Sequence, residues 1–397
     1  MKLGLEVFLQ NKKLLRSLKG KRVSLVCHPA SVDHKLRHSF DLIHQVVGLA
    51  SAFGPQHGVK GEKQDNMVES DDTLHPIFKI PIYSLYGKVR RPTHEMMDSF
   101  DVVLFDLQDL GCRIYTFITT LLYVMEECAR LQKRMIILDR PNPIGREVEG
   151  FTLEPGWESF VGAGPIPMRH GLTVGELGLF FKAHFAMDLD LQIVKMQGYK
   201  PLAKPGYGWP TELAWVNPSP NAQTLNMARA YPGTVMIEGT TLSEGRGTTR
   251  ALELVGAADI DFSKVLALMK KSAPSWLKGS LLRNCYFQPT FHKFQGQLCH
   301  GLMMHTDSPD YNAKQFKPYR LVSLLLKCVR QLYPDYPIYR DFAYEYVEDK
   351  LAFDVIHGGP RLRQWIENPK AKPTDLDRDL KRDEIAWKKI SKKYYIY

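Results

Sequence analysis

Residues 102–117, VVLFDLQDLGCRIYTF, change character abruptly. Val102, Val103, Leu104 and Phe105 form the kind of apolar run that a parallel sheet hides on both faces. Asp106, Gln108, Asp109, Arg113 and Tyr115 follow at once. Two carboxylates, an amide, a guanidinium and a phenol can together bind a polar ligand and exchange protons with it. Similar mixtures recur: GPQHGVKGE supplies Gln56, His57 and Glu62, and DRPNPIG supplies Asp139, Arg140 and Asn142. The stretch YPGTVMIEGTTLSEGRGTTRALELVGA adds Glu238, Glu244 and Arg246 among glycines that permit close backbone approach to a ligand. Taken singly, each of these residues reads equally well as a helix cap or an ion-pair partner. Their common location is what sets them apart.

That location follows from the elements. KRVSLVCH (21–28), HQVVGLASAF (44–53), IPIYSLY (80–86), SFDVVLFDLQ (99–108) and KRMIILD (133–139) read as strands, and FITTLLYVMEECARLQ (117–132) as a helix. Strands alternating with helices imply a parallel, Rossmann-like sheet with helices on both faces. Ligands bind such sheets at the carboxyl ends of the strands. Four of those ends carry polar residues, so they are expected to share one rim. LTVGELGLFFKAHFAM (172–187) reads as a helix opened by Thr173 and Glu176, a capping box. His170, just before it, is positioned to face the same cleft.

A proline-rich stretch at 200–223 precedes a change of pattern, and a domain boundary is expected near residue 230. Residues 1–230 then form the Rossmann-like domain and 231–397 a smaller α+β domain. VMIEG is expected to be a strand ending in Glu238. Further helices are expected at 262–276, 319–331 and 375–392, with strands around 281–305.

Composition excludes several classes. No GxGxxG or Walker A motif is present, no CxxC pair occurs among the six cysteines, and no GxSxG elbow is found. Neither cofactor nor metal is implied. The histidines of CHGLMMHTD (299–307) point to opposite faces of a strand. The net charge of +10 favours an anionic partner, yet the excess is diffuse and no nucleic-acid signature accompanies it. No apolar run is long enough to span a membrane. LGLEVFL near the start is broken by Glu6 and reads as a short amphipathic helix rather than an export signal, so a cytoplasmic location is expected.

The segments GPQHGVKG, PIYSLYG, FDLQDLGCRIYTF, LDRPNPIG, GPIPMRHGLTVGEL, WVNPSPN, YPGT and EGTTLSEGRGTTRALELVGA together resemble the DUF1343 family, the NamZ-type exo-β-N-acetylmuramidases. The resemblance covers nearly the whole chain. It implies a cleft between two domains and hydrolysis of terminal, non-reducing N-acetylmuramic acid from peptidoglycan fragments. Arg113, Arg140 or Arg246 would then meet the lactyl carboxylate. Gln56, His57, Gln108, Tyr115, Asn142, His170 and Asn221 complete the expected binding set. Glycoside hydrolysis needs two carboxyl groups. Glu238 and Glu244 are the first candidates, with Asp106 and Asp109 positioning the sugar or a water. One departure stands out: the family usually has Pro-Glu-His-Gly where this chain has Pro55-Gln56-His57-Gly58. A sugar-binding protein with weakened catalysis is therefore the alternative.

Overall fold

The computed structural model describes residues 1–61, 63 and 68–397. Glu62 lies outside the described residues. In chain order the strands are β1 (Val23–Val26), β2 (Leu49–Gly54), β3 (Thr73–Leu74), β4 (Pro81–Ser84), β5 (Val102–Phe105) and β6 (Arg134–Leu138). These are followed by β7 (Glu149–Thr152), β8 (Pro167–Arg169), β9 (Leu191–Val194), β10 (Leu254–Ala257), β11 (Leu281–Phe287) and β12 (Cys299–His305). A seven-stranded sheet has the order β3-β4-β2-β1-β5-β6-β9, parallel except at the β3 edge.

Because strand side chains alternate, this sheet feeds two cores. Val26, Phe53, Val103, Phe105 and Ile137 pack beneath the helices Phe117–Arg130 and Val174–His184. Leu25, Ala52, Leu104, Ile136 and Leu138 pack on the other face, against Leu5 and Phe8 of the helix Gly4–Gln10 and Phe40 and Ile43 of the helix Ser39–Val47. Helices thus cover both faces, as a buried parallel sheet requires. The amphipathic reading of LGLEVFL holds.

Residues 44–53 are not one strand. A helix runs to Val47, Gly48 ends it at φ +67°, and β2 starts at Leu49. The apolar run hid a boundary that only the glycine marks. VMIEG is not a strand either. Val235–Gly239 is a buried 3₁₀ turn continuing the helix Leu225–Thr234. A short apolar run cannot by itself distinguish a strand from a buried turn.

The C-terminal part carries a separate antiparallel sheet, β10-β12-β11. Residue 230 falls inside the helix Leu225–Thr234, which packs on the helix Pro318–Leu332. The last helix, Pro373–Ser391, returns to the N-terminal half. There Trp387 Nε1 donates to the His170 carbonyl at 2.8 Å, and the Gly150 N–H donates to Glu384 at 3.3 Å. Among the described residues, no helix is long and apolar enough to cross a membrane.

Candidate active site

The strand order reverses between β1 and β5, the usual ligand crevice of such a sheet. Here that crevice is filled from within. Asp106 accepts a two-pronged pair from Arg140, with Nε at 2.6 Å and Nη2 at 2.9 Å. Arg140 also donates to the Val32 carbonyl, and Ser31 bridges His28 to the Asp106 backbone. Gln108 donates to the carbonyls of Asp109 and Pro141. Asp109 accepts from the Gly111 N–H at 2.6 Å and faces His170 Nε2 at 3.6 Å. Asn142 accepts from the Ile144 N–H and donates to the Leu172 carbonyl. His170 Nδ1 accepts from the Leu172 N–H.

These bonds tie the groups to neighbouring loops, while Gln108 Oε1, Asp109 Oδ1 and His170 Nε2 keep no hydrogen-bond partner among the described residues. Gln108 and Arg140 line a separate cavity of about 20 Å³ beside Trp209. Arg113 is fully buried and clamps four carbonyls, those of Phe151, Ile166, Ile356 and His357. Burial lowers its pKa to about 10. The expected rim is therefore split: Asp106, Gln108, Asp109, Arg113, Arg140, Asn142 and His170 do not line the pocket that receives Gln56 and Tyr115.

The remaining rim residues converge with the C-terminal domain. Gln56 and His57 leave β2, while Tyr115 and Thr116 follow β5. They line one pocket with Ser219, Tyr231, Glu238, Arg246, Tyr344 and Glu345. Its enclosed part holds about 30 Å³, room for one water, below an open mouth. Asn221 is half-buried in the turn two residues beyond Ser219. His57 has φ +71° and its Nδ1 lies 2.7 Å from the Lys63 carbonyl.

Among the described residues, two carboxyl groups line the pocket, in unlike surroundings. Glu238 accepts from Arg246 Nη2 and from the Tyr344 hydroxyl, both at 2.7 Å. Glu345 accepts from Gln56 Nε2 at 3.1 Å and from the Tyr86 hydroxyl at 2.8 Å. Burial raises the Glu345 carboxyl to about 6, with Glu238 adding to the rise and the Tyr86 and Gln56 hydrogen bonds opposing it. Thr116 donates to Gln56 Oε1 at 2.7 Å, which turns the amide nitrogen towards Glu345.

Glu244, a first candidate for catalysis, stands behind the pocket. It accepts from Lys293 Nζ at 2.8 Å, lies 3.2 Å from Arg246 Nε and 3.5 Å from His292. Burial alone would raise its pKa, but Lys293, Arg246 and His292 outweigh that and hold it at about 2. Its role in the geometry is to fix Arg246. The glycines around it make close approaches to the protein itself. A Cβ on Gly247, at φ +81°, would meet the Phe291 backbone at 2.7 Å.

Glu345, Tyr344, Tyr86, Thr116, Ser219 and Tyr231 were not singled out from the sequence. The segment YEYV has no periodicity and matches no motif. Its only signal is an acid between aromatic residues.

A pocket shared by two domains, with two differently placed carboxyl groups and a guanidinium, is the equipment of a glycoside hydrolase. Comparison with known proteins gives the particular family. The family models "Exo-beta-N-acetylmuramidase NamZ, N-terminal" and "C-terminal" match residues 23–226 and 229–397. The chain belongs to the NamZ family. It is 38% identical to the peptidoglycan beta-N-acetylmuramidase NamZ of Bacillus subtilis, over 99% of this chain and 91% of that protein. Two crystal structures of DUF1343 family proteins from Bacteroides fragilis match all of this chain and 98% of theirs. One has a TM-score of 0.85 at 30% identity and the other 0.73 at 25% identity.

Proposed function

We propose that this protein is an exo-acting β-N-acetylmuramidase that releases terminal, non-reducing N-acetylmuramic acid from peptidoglycan fragments. The observation that carries the reading is the pocket itself. Gln56, His57 and Tyr115 of the N-terminal half meet Glu238, Arg246 and Glu345 of the C-terminal half around one small recess.

In this reading Glu238 is the carboxylate set against the anomeric carbon. Arg246 fixes it and, of the three arginines expected to meet the lactyl carboxylate, is the one lining the pocket. Gln56, His57, Tyr115 and Ser219 position the sugar. Glu244, Lys293 and His292 hold Arg246 from behind. The domain division is proposed at residues 230/231, so that Glu238 and Arg246 come from the second domain and the sheet loops from the first.

Release of the chromophore from a nitrophenyl β-MurNAc glycoside, with the GlcNAc analogue inert, is the expected result. No release from either across acid to alkaline pH overturns the reading. One observation favours a second reading, a sugar-binding protein with weakened catalysis. Gln56 places an amide in the pocket, and an amide exchanges no proton near neutral pH. Calorimetry would then show MurNAc-GlcNAc binding without turnover, and Gln56→Glu would restore hydrolysis.

A further inference from the structure

We propose that Glu345 is the proton donor of this pocket, with Gln56 and Tyr86 holding it in place. The proposal rests on the glycosidase reading above and assigns the acid that the reading requires.

The backbone is the first support. Tyr344 and Val347 exchange both N–H···O bonds, at 3.2 and 3.1 Å, so Glu345 and Tyr346 form a two-residue turn. Their φ angles are +48° and +68°. Positive φ at both central residues is the type I′ pattern, which normally takes Asn-Gly. Here a glutamate and a tyrosine occupy it, at a cost of about 1–3 kcal/mol each. A turn so built has a purpose other than turning. It sends Glu345 inward to the pocket and its neighbour outward: Glu345 is 4% exposed and Tyr346 50%.

The second support is what surrounds the carboxyl. A general acid must carry a proton near working pH and must face the leaving oxygen. Among the described residues, the hydrogen bonds to Glu345 come from two neutral groups, the Gln56 amide and the Tyr86 hydroxyl. Glu238, the other carboxyl lining the pocket, is paired with a guanidinium at 2.7 Å. Neutral partners leave burial free to favour the protonated acid at Glu345. Two carboxyl groups held in such unlike settings divide the acid and base roles between them. Among the described residues, Glu238 adds to the rise that burial causes, while the Tyr86 and Gln56 hydrogen bonds and the charge of Arg90 oppose it and are outweighed.

Gln56 takes its meaning from this arrangement. A glutamate there would set a third carboxyl against Glu345 and compete for its proton. The amide instead donates to Glu345 Oε1 while Thr116 fixes its other end. Gln56 is thus a positioning residue, and the amide does not remove the acid from the site.

In the step itself, the Glu345 O–H proton passes to the glycosidic oxygen. The C1–O bond breaks with its electron pair going to that oxygen. A water then bonds to C1, and its surplus proton returns to the pocket carboxylates.

Leaving-group dependence tests this. Nitrophenolate leaves without a proton, whereas the GlcNAc hydroxyl of MurNAc-GlcNAc needs one. Glu345→Gln is expected to lose about 100-fold or more in kcat on the disaccharide, and less than about 10-fold on nitrophenyl β-MurNAc. The wild-type kcat/KM on the disaccharide should fall as pH rises through about 6, and that limb should vanish from the residual activity of Glu345→Gln on the same disaccharide. Gln56→Glu should move the limb to higher pH. Equal losses on both substrates, or none on either, overturn the assignment of Glu345 while wild-type turnover leaves the muramidase reading intact. A wild type that cleaves neither substrate overturns both. Should Glu345→Gln fold poorly, Glu345→Asp takes the same measurement: it keeps the acid, so it must retain the leaving-group pattern and the pH limb of the wild type.

Discussion

At the scale of the residue, the same chemistry serves two ends, and only partners tell them apart. Arg113 and Arg246 are both buried arginines near polar sequence. Arg113 gives its guanidinium to four carbonyls, and Arg246 gives its own to two carboxylates beside the pocket. Arg113→Lys should therefore cost about 2–4 kcal/mol in denaturant unfolding, because carbonyls lose their donors in a dry site. KM of the folded fraction should not move. A raised KM at unchanged stability would return Arg113 to the binding set. Glu244 offers a second check. Its pKa falls from 4.5 to about 2 on folding, which corresponds to about 3 kcal/mol held near neutral pH. A depressed carboxylate stabilises the fold above its unfolded pKa and ceases to do so as pH drops through the folded one. Glu244→Gln should then unfold about 3 kcal/mol more easily at neutral pH, with the difference from wild type shrinking as pH falls from 4.5 towards 2. Activity should fall as well, since Arg246 loses its rear support.

At the scale of the element, periodicity was enough for the sheet and not for the site. Val102–Phe105 and Arg134–Leu138 declare themselves as buried strands because no other element suits a bounded apolar run between helices. Thr173 and Glu176 mark a helix start that the structure keeps, with Thr173 accepting from the Glu176 N–H. Residues 235–239 and 344–347 carry no such mark. Their shapes are set by tertiary contacts, and both deliver a pocket carboxyl. Gln56 and His57 were legible because a turn after a parallel strand is where ligands bind. Asp106 and Arg140 stood at the same kind of position and turned out to satisfy each other. Sequence locates the rim but does not say which side chains are already spent. The Gly-rich loop is a third case, since its glycines serve packing. Gly247→Ala would push a methyl into the Phe291 backbone at 2.7 Å. That backbone leads directly to His292 and Lys293, the clamp on Glu244. The expected result is about 1–3 kcal/mol of destabilisation and a lower kcat, read by thermal melting and nitrophenyl glycoside turnover. Unchanged kcat in a destabilised protein would separate the loop from Arg246.

At the scale of the whole molecule, the chain's end is tied to its central sheet through a second group of buried acids. Asp139, at the end of β6, accepts from the Thr173 hydroxyl at 2.8 Å, the Gly175 N–H at 2.8 Å and the Tyr397 hydroxyl at 2.9 Å. The Ile396 N–H reaches Glu176 at 2.9 Å, and Arg146 lies over the Tyr395 ring at 4.1 Å. Burial raises the Asp139 carboxyl from 3.8 to about 7, with nearby Glu176 adding to the rise while its donors oppose it. The sign is opposite to that of Glu244. The folded protein holds a proton on Asp139 that the unfolded chain releases, so stability from this group is full below 3.8 and is lost as pH rises through about 7. Glu244 penalises acid and Asp139 penalises alkali, which places the stability maximum set by this pair at about pH 4, between their unfolded values of 4.5 and 3.8. Tyr397→Phe isolates the second term. The phenol stabilises the ionised carboxyl, so removing it raises the folded pKa further. Unfolding should become easier by about 1–3 kcal/mol above pH 7 and change little near pH 5, because a protonated Asp139 asks less of that hydroxyl. A uniform loss at both pH values would mean that Tyr397 acts by packing alone, and the electrostatic link between the C-terminus and the sheet would fail.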